Sequence, residues 1–152
     1  MEKLNQLITQ LENSIPFSSQ ANPAISAGNV GWHIDHSILV INQILGALEA
    51  SDPKDYEWKF NVKRTVVFFM NKIPRGKAKA PKSVLPAEHF QEETVRANMT
   101  IARYKIEQLS HLPPDAFFVH PYFGKLNVKA TRKMLLLHTA HHLQIIKDVT
   151  GS

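Results

Sequence analysis

The chain of 152 residues contains no cysteine. Disulfides, thiolate zinc sites and a cysteine nucleophile are therefore excluded, and histidine and carboxylate remain as the metal ligands that the chain can offer. No apolar run approaches the roughly 18 residues that a membrane-spanning helix needs. The N-terminal segment MEKLNQLITQLENSI is amphipathic and acidic, which favours a helix over a signal peptide. We therefore expect a cytoplasmic protein without a membrane partner.

Length and composition predict one globular domain spanning residues 1–152. Hydrophobic residues make up 43% and charged residues 20% of the chain, as is ordinary for a globular protein that buries a sizeable core. Neither an internal repeat nor a low-complexity tail divides the chain.

The positive charge is concentrated in one segment. Between Lys59 and Lys82 the sequence has eight Lys or Arg and no acidic residue, against 10 basic and 13 acidic residues elsewhere. Such a segment attracts anionic substrates, nucleic acid or anionic lipid surfaces. No aromatic-interleaved RNA-binding motif and no DNA-reading element accompanies it, which disfavours nucleic acid. The simplest interpretation is a solvated basic loop.

Apolar residues at helical spacing predict four long amphipathic helices, hence an all-α fold. On the second helix, the predicted inward side carries His33, His36, Val40, Ile44 and Ala47. Four helices with one long basic connection between the second and third predict a four-helix bundle, whose core commonly holds metal sites. The predicted helices are residues 4 to 15 with Pro16 as the stop, Val30 to Ala50, Glu88 to Leu109, and Val128 to Thr150 with caps at Asn127 and Gly151.

Two connections are less regular. In the segment from Asp55 to Pro86, FNVKRTVVFFMNKI fits either a helix or a strand over Thr65 to Met70, because the run is β-branched and aromatic. A helix would place Val62, Val66, Phe69 and Ile73 on one face. PRGKAKAPKSVLP then predicts an extended loop. The later connection DAFFVHPYFGKL is aromatic and is expected to turn at Gly124.

The last predicted helix carries the stretch LLLHTAHHLQII, with three histidines in five positions. His138 and His142 are four residues apart, so a helix places both on one face, together with apolar side chains. Burying an imidazole costs free energy unless its nitrogens are satisfied, which a divalent metal does well. The third ligand is predicted on the second helix, as His36 or alternatively His33. The expected metal is zinc or nickel, with manganese or iron as alternatives.

The remaining histidines and one threonine refine this prediction. Thr139 stands where the zincin pattern HExxH has its glutamate base, so that mechanism is absent. His141 flanks the inner stripe and His120 precedes the last helix, and both are candidate proton carriers. His89 and His111 are predicted at helix ends on the surface. Buried histidines also occur as core residues bonded to one another, to backbone or to water, which would make the protein a non-catalytic binding or stress-response module.

Three segments resemble the DinB-like superfamily: GWHIDHS in the second helix, the lead-in HPYFGKLN, and HTAHHLQII in the last helix. The likeness covers nearly the whole chain in helix order and length. It implies an up-down-down-up four-helix bundle that binds a divalent metal through His36, His138 and His142. It further implies a metal-dependent thiol transferase or a related isomerase, and commonly a homodimer, although very many members have no known activity.

Together these features predict a metal-dependent enzyme acting on a small molecule, which is either anionic or a thiol. Three histidines leave coordination positions open, where a metal lowers the pKa of bound water or holds a thiolate. The shortage of an obvious carboxylate base favours thiol transfer over hydrolysis. In either reaction, His141 or His120 would carry the proton.

Overall fold

The computed structural model describes residues 2–76 and 81–151. Within these ranges the chain forms five α-helices and one antiparallel pair of strands, so the prediction of a mainly helical fold is confirmed. None of these helices is long and apolar enough to cross a membrane. The elements are α1 (Glu2–Asn13), α2 (Val30–Glu49), α3 (Val62–Met70), α4 (Glu92–Gln108), β1 (Phe117–His120), β2 (Gly124–Asn127) and α5 (Val128–Thr150).

The core lies between α1, α2, α4 and α5, with α2 packed against both α4 and α5. The stripe of α2 that is almost fully buried is Ile34, Ile38, Ile41, Leu45 and Leu48. The predicted inward stripe is a different one. Its two histidines and Val40 are buried, but Ile44 is half-buried and Ala47 is exposed, because this side of α2 faces a cavity rather than the core.

Side-chain caps explain why α5 begins and ends where the sequence predicts. The Asn127 side chain accepts a hydrogen bond from the Ala130 N–H at 3.1 Å, which satisfies one of the free amides of the first turn. At the other end, Gly151 adopts the left-handed conformation with φ of 71°, which glycine tolerates without a Cβ clash.

Two predicted helix boundaries are wrong by a few residues. The first helix ends at Asn13, and Ile15 lies in a following single turn of 3₁₀ helix that contains Pro16. The third predicted helix, α4, begins at Glu92 rather than Glu88. The residues before it stay non-helical, and the Phe90 ring packs over Gly31, where an added Cβ would lie 2.9 Å from it.

The basic connection contains α3, so the helical alternative for this segment is confirmed and the strand is not formed. Of the residues expected on one face of this helix, Val62, Val66 and Phe69 are exposed and Ile73 is half-buried. The buried residue of α3 is Arg64. Lys77 and Lys79 of the basic segment lie outside the described residues.

The aromatic connection before α5 is a β-hairpin rather than an irregular loop. Phe118 pairs with Leu126 and His120 with Gly124, and Phe118 and Leu126 are buried while Val119 is exposed. This alternation is the period of a strand. Gly124, where a turn was predicted, has a φ of 70° and opens β2. The hairpin brings His120 to the same cavity as α2 and α5.

Candidate metal centre

Three histidines from two helices come together where α2 packs against α5. One ring nitrogen from each of His36, His138 and His142 lies within 4.8 Å of the other two, so the group could hold a metal ion. The ring centroids are 4.6 Å apart for His138 and His142, and 4.8 Å apart for His36 and His142. His36 and His142 are buried, and His138 is half-buried.

Hydrogen bonds determine which ring nitrogen of His36 carries the proton and which remains free to bind a metal. His36 Nδ1 lies 2.8 Å from the backbone oxygen of Val84. Because a carbonyl only accepts, Nδ1 carries the proton and Nε2 keeps its lone pair. Val84 is itself buried, in a single 3₁₀ turn over Lys82–Val84. The last part of the basic connection therefore orients a ring of the three-histidine group.

The ring of His142 is held by His33, whose two nitrogens both have partners. His33 Nδ1 lies 2.9 Å from His142 Nδ1, and His33 Nε2 lies 2.9 Å from the Ser26 hydroxyl. If His142 Nδ1 donates, His33 accepts there and donates from Nε2 to Ser26 Oγ. His142 Nε2 then keeps its lone pair. His33 does not belong to the group of three.

His138 differs from its neighbours in that its buried Nδ1 has no hydrogen-bond partner in the described part of the chain. A buried polar atom left without a partner costs about 1–3 kcal/mol. A metal ion is one partner that would satisfy this imidazole, and neutral imidazole is the commonest protein ligand for such ions. The chemistry of the three rings therefore fits a divalent cation.

Burial keeps these imidazoles neutral. It lowers the pKa of His138 from its ordinary value to about 3, and the neighbouring His36, His141 and His120 lower it further. Burial likewise holds the pKa of His142 well below its usual range. Neutral rings retain the lone pairs that ligate a metal, since protonation would remove them.

A cavity of about 580 Å³ opens beside the three histidines. The Trp32 ring stacks on His36 with a centroid distance of 4.8 Å and an interplanar angle of 15°. Among its described lining residues there is no Asp, Glu, Lys or Arg. Most of the wall is apolar, including Trp32, Val40, Ile44, Phe118, Phe123 and Met134.

The two predicted proton carriers also line this cavity. His141 is half-buried, and its ring lies edge-on to that of His142 with a centroid distance of 5.3 Å. Its pKa is lowered first by burial and then by the positive charge of Arg75. His120 accepts hydrogen bonds at Nδ1 from the backbone N–H groups of Tyr122 and Phe123, at 3.1 and 3.2 Å.

Two other groups at the site could not be identified from the sequence. Ser26 lies in the loop before α2, outside any periodic pattern, and the Val84 contribution is a backbone carbonyl. His89 and His111 are exposed, as predicted, and do not belong to the group of three.

No family model, curated protein or solved structure matches the chain.

Proposed function

We propose that the protein binds one divalent metal ion through His36, His138 and His142 and uses it in catalysis on a small molecule. The observation that carries this proposal is the set of three neutral ring nitrogens within 4.8 Å of one another at the wall of a cavity. Zinc or nickel is the proposed ion, with manganese or iron as alternatives. The scaffold proposed is a DinB-like four-helix bundle of α1, α2, α4 and α5 in up-down-down-up order.

A three-histidine site leaves coordination positions for another ligand, which is the arrangement of catalytic rather than closed structural sites. A metal held there lowers the pKa of a bound water or thiol. The cavity gives a substrate access to the open side. Within it, Trp32 keeps the His36 ring in place by stacking, and Val84 sets the nitrogen that this ring offers.

His33 is proposed as a residue that positions His142 rather than as a ligand. Its two ring nitrogens are engaged by His142 and by Ser26. Such partners of a metal-bound histidine fix its tautomer and orientation, and their loss weakens metal affinity about 10- to 100-fold. His36 is therefore the proposed ligand from α2.

The chemistry proposed is transfer of a thiol nucleophile, with hydrolysis of a small molecule as the alternative. No carboxylate appears among the described lining residues, so the cavity offers no obvious general base for water. A metal held by His36, His138 and His142 would favour the thiolate form of a substrate thiol, so thiol transfer would not require a carboxylate base. His141, in contact with His142, is the proposed proton carrier.

A second candidate is a non-catalytic helical module in which these histidines are core residues. The observation that favours it is the hydrogen bond between His33 and His142, because core histidines without a metal bond to each other in this way. The two candidates differ in one measurable property, which is metal binding. In both cases we propose a cytoplasmic homodimer, with nucleic acid as an improbable partner.

The test is elemental analysis of the untagged protein after chelation and reconstitution with zinc, nickel or manganese. We expect about one metal ion per chain in the wild type, and loss of it in His36→Ala and His142→Ala. His111→Ala, at an exposed histidine, is the matched control and should keep the metal. Variants are compared only where circular dichroism shows a folded chain.

His33→Ala separates the two possible ligands from α2. We expect this variant to retain the metal with an affinity about 10- to 100-fold weaker, whereas removal of a ligand should abolish binding. A folded wild type that takes up none of the three metals would refute the proposed enzyme and favour the non-catalytic module. Metal uptake would justify assays of thiol transfer to electrophiles and of ester or amide hydrolysis.

A further inference from the structure

The hairpin turn fixes the tautomer of His120. The backbone N–H groups of Tyr122 and Phe123 both donate to His120 Nδ1, so this nitrogen holds the lone pair and the proton of the neutral ring is on Nε2. The ring also stacks on Phe123 with a centroid distance of 4.2 Å and an interplanar angle of 10°. His120 is thus a rigid imidazole whose second nitrogen is a hydrogen-bond donor.

This donor belongs to the same cavity as the three histidines. His120 lines the wall and lies near enough to His138 to lower the pKa of that ring. Burial lowers the pKa of His120 itself to about 4, which keeps the Nε2–H tautomer neutral at pH 7. Among the described residues, the hydrogen bonds of His120 are both made at Nδ1, so its Nε2–H is available to a ligand.

The rest of the described wall is mostly apolar. Its volume of about 580 Å³ falls in the range of roughly 300–1,000 Å³ that holds drug-sized molecules. An apolar body would gain by leaving water.

We propose that the cavity binds an apolar molecule through one oxygen-bearing head group, held between the metal site and the Nε2–H of His120. The head group is a hydrogen-bond acceptor such as a carbonyl oxygen, and the apolar body lies against the walls from α2 and the hairpin. This assignment rests on the proposed metal site for one side of the head group. It makes the substrate class an apolar carbonyl-type compound.

The first experiment compares two ligands that share a head group, acetohydroxamate and benzohydroxamate, by calorimetry on the zinc-loaded full chain. We expect benzohydroxamate to bind about tenfold tighter or more, because its ring buries apolar surface. Ile44→Asp places a charge in the wall and should remove this preference. Ile101→Asp is the matched control, at an exposed isoleucine of α4 outside the cavity. Equal affinity of the two hydroxamates for the wild type would overturn the proposal.

The second experiment tests the Nδ1 acceptor and the Nε2–H donor of His120 independently. In His120→Asn the side-chain oxygen can replace Nδ1 in the turn, but the Nε2–H donor is lost; His120→Gln keeps a donor near the Nε2 position. We expect about five- to tenfold weaker hydroxamate binding in the Asn variant, with partial rescue in the Gln variant and an unchanged zinc affinity in both. Unchanged hydroxamate binding in a folded His120→Asn chain would refute the role of His120.

Zinc uptake measured in the same samples distinguishes failure of the proposed metal site from failure of the proposed apolar site. If the wild type takes up no zinc, the proposed function has failed, and the cavity is tested without a metal by saturation-transfer NMR with benzamide and acetamide. Benzamide binding that exceeds acetamide binding and weakens in His120→Asn would support the apolar site and its donor. Absence of benzamide binding would overturn them.

Discussion

At the scale of single residues, the buried histidines link stability to pH. Burial lowers the pKa of His33 to about 4 in the folded chain, whereas the unfolded chain keeps a value near 6.5. Below pH 6.5 the unfolded state therefore binds more protons, and folding loses free energy as the pH falls. This stability is fully present above about pH 6.5 and is lost progressively towards the folded pKa.

We expect the contribution of His33 alone to lower the unfolding free energy of the metal-free protein by about 2 kcal/mol between pH 7.5 and pH 5. Urea unfolding at a series of pH values measures this loss. His33→Asn should reduce the slope, and His111→Asn, at an exposed position, should leave it as in the wild type. A wild-type stability that is constant over this range would contradict the neutral packing of His33.

At the scale of secondary-structure elements, Arg64 joins α3 to the hairpin. Its guanidinium donates to the backbone oxygens of Lys59, Phe123 and Lys125, and its side chain is buried. Phe68 adds an edge-to-face contact with Phe123 at 6.0 Å. A buried arginine is costly unless its donors are satisfied, so these carbonyls decide where α3 lies.

Arg64→Leu removes the donor of three backbone carbonyls, one of them in a buried hydrogen bond, so we expect a loss of about 2–4 kcal/mol in unfolding free energy. Urea unfolding gives the magnitude, and hydrogen exchange should show α3 amides losing protection before those of α5. Lys63→Leu changes the exposed residue beside it and should alter stability by less than about 0.5 kcal/mol. Equal stabilities of the two variants would mean that Arg64 does not fix α3.

Some features of the fold and the site could be predicted from the sequence, and others could not. Asn127 and Gly151 bound α5 because their capping chemistry is local, and the spacing of His138 and His142 needs only the helical period. By contrast, α2 is apolar on several sides, so periodicity could not distinguish its core stripe from the side that faces the cavity. The tautomer of His36 depends on the carbonyl of Val84, 48 residues away. A backbone carbonyl leaves no signal in residue type.

At the scale of the whole molecule, several large apolar side chains of the described chain are exposed on and beside α3. Single exposed apolar residues are ordinary, but a run of them along one segment marks an interaction site. The apolar residues of this surface that are at least 49% exposed are Trp58, Phe60, Val62, Val66, Phe69 and Met70. We propose that this surface is the interface of the homodimer.

Replacing Phe69, which is 86% exposed, by glutamate should convert the dimer to a monomer in sedimentation velocity, because a charge would be buried in the interface. Tyr104→Glu on α4, also exposed, is the matched control and should remain dimeric. Lys59, Lys63 and Lys72 flank the surface, so two copies repel each other at low salt. The dimer fraction should therefore rise with salt as this repulsion is screened. A surface that instead recruits an anionic partner would show the opposite salt dependence, with a monomeric wild type.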